Sequence, residues 1–164
     1  MITLQANPSR SDIEDLARNL RERDAMELLR LGVAQSAKDI PSALERSCDV
    51  SIMSVLAKYR GRPAALYGLQ LILPLGWGIP WLMTTHVVEE APLTYTKLSK
   101  AVIDGFFGYA HTLIQWVDEE YVQAWRWLEG PLGFHRFGSH DFIAQAKWPF
   151  RAYRKLAPSA RRTR

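Results

Sequence analysis

Apolar positions along the first third of the chain recur at helical spacing. Ile13, Leu16, Ala17 and Leu20 fall on one face, the stripe expected of an amphipathic helix. Ser11 to Glu14 reads as its capping box, a Ser hydroxyl accepting the amide proton of a Glu three residues on. Asp24 is placed to cap a second helix through Met26, Leu28, Leu29 and Leu31, which Gly32 ends, and Asp39 precedes a third around Pro41 to Ser47. Ile2 and Leu4 form a short opening strand. From Val50 the period changes to that of extended chain. Val50 to Tyr59 and Ala64 to Leu73 flank a turn at Arg60 to Pro63 and predict a hairpin, and a third extended run spans Ile79 to Val88. Glu89 to Pro92 ends it. Thr94 then caps a helix carrying Leu98, Val102, Ile103 and Phe106, Leu113 to Val117 is a buried strand, and Asp118 to Glu120 opens a helix that stops at Gly130 and Pro131. Phe134 to Phe137 and Phe142 to Trp148 predict a closing hairpin. The order is strand, helices, three strands, helix, strand, helix, two strands. That is an α+β pattern with a mixed, mostly antiparallel sheet flanked by helices.

Composition bounds the picture without changing it. The 164 residues allow one domain; apolar residues make up 48% and charged residues 23%, as in ordinary packed domains. The longest apolar stretch, Leu71 to Leu82, is broken by Pro74, Gly76, Gly78 and Pro80, so no membrane helix is expected. The first residues lack the basic-then-apolar order of a secretory signal, and the expectation is a chain that stays in the cytoplasm where it is made. Cys48 is the lone cysteine, which excludes an internal disulfide and argues against a thiolate metal site. No metal is expected.

Charge adds one feature. Six of the 21 basic residues and none of the 17 acids lie between Arg151 and Arg164. The expected division is a domain over residues 1–150 and a basic, flexible tail over 151–164. Such a tail can touch nucleic acid or an acidic partner.

The stretch from Leu113 to Phe134, with a buried strand, a polar break, a helix with Ala124 in its middle and then Leu132, Gly133 and Phe134, resembles the GNAT acyltransferase superfamily. The hairpin from Tyr59 to Gly68 is similar to that family's hairpin. The segments around Asp24 to Glu27 and Pro80 to Thr85 resemble GNAT-like proteins of short-tailed bacteriophages, some of which are internal virion proteins. The resemblance implies a fold built to move an acyl group from acetyl-CoA to an amine, with the host cytoplasm or the virion as location.

That chemistry needs a cradle for a diphosphate, usually a Gly-rich turn whose bare N–H groups and helix dipole face the anion. The corresponding linker, His86 to Thr96, has no glycine, and it holds Pro92, Glu89 and Glu90. Thr94, Thr96 and Lys97 are the cofactor-binding candidates, aided by Lys100. The family's general acid, a Tyr four residues after the mid-helix Ala, is Leu128 here, which carries no proton. Glu89, Glu90 and His86 are the candidate bases, since a carboxylate of raised pKa or a neutral imidazole can deprotonate an amine. Two function classes follow. One is a phage-type GNAT-fold protein that binds a protein partner, in virion or internal core assembly, with degenerate catalytic positions. The other is an acetyl-CoA-dependent N-acetyltransferase modifying a host protein. Six tryptophans add interface anchors to the first class, because Trp is enriched at binding hot spots.

Overall fold

A computed structural model describes residues 1–138 and 149–158. The amino-terminal segment supplies strand β1 (Ile2–Ala6) and helices α1 (Arg10–Arg18), α2 (Glu22–Arg30) and α3 (Ile40–Asp49). Helix α1 opens two residues earlier than its sequence pattern suggests. Ser9 caps it, accepting the Asp12 N–H at 3.2 Å while its own N–H donates to Asp12 at 3.3 Å. Asp12 wins over Glu14 because Lys58, from the neighbouring hairpin, holds its carboxylate at 2.7 Å. That contact keeps the Asp12 carboxyl at about 2.

The hairpin pairs β2 (Met53–Tyr59) with β3 (Arg62–Ile72), and β4 (Trp77–Thr84) adds antiparallel to β3. Its turn is two residues, Arg60 and Gly61, both at positive φ (51° and 77°). This twist suits a right-handed strand pair. Gly68, in the middle of β3, sits under the ring of Trp81 across the ladder, and a Cβ there would lie 2.2 Å from a ring carbon. Trp81 is pinned in turn by its Nε1, which donates to Ser51 Oγ at 2.9 Å. Gly68→Ala is therefore expected to cost about 1–3 kcal/mol, the range for overpacking a filled core. A fall in the urea midpoint at unchanged slope would show it, whereas an unchanged midpoint would mean that Trp81 swings aside.

Helix α4 (Pro92–Phe106), β5 (Thr112–Asp118) and α5 (Val122–Glu129) follow, then β6 (His135–Arg136) and β7 (Phe150–Leu156). Among the described residues the seven strands run in the order β1-β2-β3-β4-β5-β7-β6, and only the β4–β5 pair is parallel. One face of the sheet packs Leu56, Leu66 and Met83 under Ile13, Leu16, Leu28 and Leu44 from the first helices. The other packs Tyr67, Leu113, Phe134 and Tyr153 against Ile103 and Phe106 of α4 and Leu128 of α5. No helix among the described residues is long and apolar enough to cross a membrane.

Three expected boundaries move. The run predicted to reach Val88 ends at Thr84, where the buried Thr85 turns the chain into a short 3-10 helix over His86–Glu90. Asp118 closes β5 rather than opening α5, which begins at Val122. The third correction concerns the carboxy terminus. Residues 151–156 of the expected flexible tail form β7, inserted between β5 and β6, with Tyr153 fully buried. Its basic residues find partners on the body. Arg151 reaches Glu119 at 2.9 Å and lies 4.8 Å over the Trp125 ring, and Lys155 reaches Asp104 at 2.8 Å. The second strand of the expected closing hairpin, 142–148, and the basic residues Arg161, Arg162 and Arg164 lie outside the described residues.

Candidate functional site

Strands β4 and β5 pair only at Trp77–Thr112 and Gly78–Leu113. Beyond those two pairs they diverge, and the gap opens a cleft of about 430 Å³ between them. Its walls come from β4, β5, α4 and α5, and α2 crosses it with Asp24 and Glu27.

These two carboxylates occupy the stripe that continues through Leu28 and Leu31, at the i, i+3, i+4, i+7 spacing of a core face. They are 5% and 8% exposed. Each is tied to one of the diverging strands. Asp24 accepts the N–H of Thr84 at 3.2 Å and the Thr84 hydroxyl, both at the end of β4, and its other oxygen accepts the Tyr121 hydroxyl at 3.3 Å. Glu27 accepts the N–H of Asp118, at the end of β5, at 3.2 Å. Arg30, one turn on, bridges Asp118 and Glu120. Helix α2 thus links the two strand ends where the sheet itself makes no ladder between them.

Burial governs the ionisation here, because a low-dielectric site disfavours the charged form. It raises Asp24 from the usual carboxylate range, against the pull of the Thr84 and Tyr121 donors. Glu27 is pushed up to about 8 by burial, with the neighbouring charges of Asp24 and Asp118 adding to the rise. Tyr121 is raised as well, by burial and then by the Asp24 charge. On the α4 side, the Tyr67 hydroxyl pairs with Ser99 at 2.8 Å, and burial lifts Tyr67 to about 12. Tyr95 lines the same wall, is 5% exposed, and its buried hydroxyl has no hydrogen-bond partner among the described residues.

The residues singled out from sequence scatter around this cleft. Glu89 stands at its rim, 3.8 Å from Arg21 and 3.7 Å from His86. His86 is exposed and Glu90 is held by Arg62 at 2.7 Å, and neither lines the cleft. Thr96 does line it, with its hydroxyl donating to the Pro92 carbonyl at 3.0 Å, while Thr94 and Lys97 are exposed on the outer side of α4. Asp24, placed as a helix cap from sequence, is the third residue of α2 and faces inward; α2 begins after Arg21 with no side-chain cap. The overlooked signal was a pair of acids standing on an apolar stripe.

Solved structures match this architecture over nearly its whole length. A chimera of the spermidine N-acetyltransferase SpeG from Vibrio cholerae and hSSAT superposes with TM-score 0.67 at 14% identity, over 94% of this chain and 95% of that one. A GNAT-family acetyltransferase from Bacillus anthracis gives 0.70 at 14%, over 94% of each. A ribosomal-protein-S5-alanine acetyltransferase from Vibrio fischeri gives 0.65 at 12%, over 96% of this chain and 94% of that one. The chain has the GNAT fold. No family sequence model and no curated protein sequence matches it.

The fold implies acetyl-CoA, so the linker between β4 and α4 is where a diphosphate would have to be held. Five of its amides are engaged within the segment. Val87 N–H donates to Thr85 Oγ1 at 3.2 Å, Val88 N–H to the Thr85 carbonyl and Ala91 N–H to the Val88 carbonyl, both at 3.3 Å. The Thr94 and Tyr95 N–H groups both donate to the Ala91 carbonyl at 3.1 Å, and Pro92 has none to give. Glu89 and Glu90 add negative charge to the same few residues. A phosphate needs several free N–H groups and a positive field; here five amides are already spent, Pro92 has none to give, and two carboxylates stand beside the start of α4. The residues present do not fit the diphosphate of coenzyme A. On α5, Leu128 is buried where a proton donor would be required, and Trp127 reaches across to α4, its Nε1 3.4 Å from Thr96.

Proposed function

We propose that this GNAT-fold protein works by binding in the β4–β5 cleft, without acyl transfer from coenzyme A. The observation that carries this reading is the linker from Thr85 to Tyr95, five of whose N–H groups close on its own carbonyls and on the Thr85 hydroxyl. The similarity of the Asp24–Glu27 and Pro80–Thr85 segments to phage GNAT-like proteins supports a role in virion or internal core assembly, alongside a protein partner in the host cytoplasm or in the particle. Any contact with nucleic acid would rest on Arg154, exposed on β7, and on the basic residues that follow the described strand.

A second reading has one observation in its favour. Glu27 lines the cleft and titrates at about 8, near the value suited to accept a proton from an ammonium at neutral pH. On that reading the protein is an N-acetyltransferase acting on a host protein, with Glu27 rather than Glu89, Glu90 or His86 as base. Calorimetric titration with acetyl-CoA separates the two. The binding reading predicts no heat of association and no shift in melting temperature at millimolar acetyl-CoA. Micromolar affinity would overturn it, because ligand at 100 times its dissociation constant adds about 2.7 kcal/mol of stability.

A further inference from the structure

We propose that the cleft receives a methylated ammonium group that carries an oxygen function nearby, held between its aromatic walls and the two carboxylates of α2. This rests on the reading that the cleft works by binding. Tyr67, Tyr95, Tyr121, Trp127 and Phe134 line it together with Asp24 and Glu27. Aromatic faces and a negative charge around a desolvated space are what a quaternary ammonium requires. The volume, about 430 Å³, falls within the roughly 300–1,000 Å³ of small-molecule sites.

Hydrogen bonding separates this class from a primary amine. A primary ammonium brings three N–H donors and needs acceptors for each once it leaves water. The acidic floor has few acceptors left for three, since Glu27 Oε2 is the one carboxylate oxygen there that takes no hydrogen bond among the described residues. Asp24 takes three donors, from Thr84 N–H, the Thr84 hydroxyl and the Tyr121 hydroxyl, and Glu27 takes the Asp118 N–H. What the floor offers once Glu27 ionises is charge, which suffices for a cation without N–H groups. Tyr95 supplies an independent indication. Its hydroxyl is buried without a partner in the cleft wall, and a buried hydroxyl left unpaired costs about 1–3 kcal/mol. An oxygen on the ligand would satisfy it. A quaternary ammonium has no N–H to acylate, so such a molecule is a ligand and not an acyl acceptor.

The test is calorimetry on the full chain with choline, ethanolamine and 3,3-dimethylbutan-1-ol, which are the quaternary cation, its primary-amine counterpart and its neutral isostere. Choline is expected to bind at least tenfold more tightly than either. A peptide bearing trimethyllysine forms a further arm, and tighter binding than choline would assign the group to a partner protein rather than to a free metabolite. Glu27 is faced by Asp24 on its own helix, by Asp118 with Arg30 at the end of β5, and by Tyr121 before α5, with Arg21 beside Asp24. A bound cation favours the ionised form of Glu27, so choline affinity should rise about tenfold per pH unit up to about 8 and then level off. Glu27→Gln should weaken choline at least tenfold and remove that pH dependence. Tyr95→Phe should weaken choline while leaving tetramethylammonium unchanged. Equal binding of the neutral alcohol, tighter binding of ethanolamine, or no choline binding at millimolar concentration would each overturn the proposal. Micromolar acetyl-CoA binding would instead overturn the binding reading and leave this order of affinities intact.

Discussion

A chain ending at Phe150 is expected not to fold. Strand β7 pairs with β5 along its whole length, from Asp118–Phe150 to Thr112–Leu156, and with β6 on its other side. Removing residues 151–156 exposes the edge of β5 and strips Tyr153 from the core, where it is fully buried and its hydroxyl donates to Glu129 at 3.1 Å. The single substitution Tyr153→Ala should already cost about 3–5 kcal/mol, the range for truncating a buried aromatic. That is a large share of the roughly 5–15 kcal/mol that holds a domain together. Urea unfolding followed by circular dichroism checks both. The truncated chain should show no cooperative transition, and Tyr153→Ala a midpoint lowered at similar slope. A truncated chain melting like the full one would mean that β7 is dispensable.

Glu27→Gln is expected to make the protein more stable at pH 8 and to flatten its stability between pH 5 and 8. Folding raises the Glu27 carboxyl from 4.5 to about 8. The folded state therefore holds a proton that the unfolded chain releases in that window. The stabilising contribution of the protonated form is complete below pH 4.5 and is lost as the pH rises through 8, at roughly 1.4 kcal/mol for each pH unit crossed in between. Glutamine keeps an acceptor for the Asp118 N–H and never ionises. A gain of a few kcal/mol at pH 8 corresponds to a rise in melting temperature of about 5–15 °C for a chain of this length. Scanning calorimetry of both proteins from pH 5 to 8 is the check. An unchanged or lower melting temperature for the variant at pH 8 would show that Glu27 is ionised in the fold at little cost.

Much of the architecture was legible along the chain because local signals carried it. Arg60 and Gly61 between two β-rich runs marked the hairpin turn, and Leu113 to Val117 read as a buried strand. Strand β7 was hidden by its charge. Arg151, Arg154 and Lys155 look solvated in sequence, yet Glu119, Asp104 and the ring of Trp125, which receive two of them, lie some 25–50 residues away. The candidate site divided in the same manner. The linker was legible, since Pro92, Glu89 and Glu90 announce their chemistry locally. The carboxylates of α2 were not, because an Asp near a helix start is usually a cap; only the pairing with Thr84 and Asp118, some 60 and 91 residues away in sequence, gives Asp24 and Glu27 their role.

The linker itself offers the most direct test. With backbone amides assigned by NMR, coenzyme A added to millimolar concentration should leave the resonances of His86 to Tyr95 where they stand. Saturable shifts centred on Val87, Glu89 and Leu93 would mean that those amides turn to a diphosphate after all, and would contradict the account.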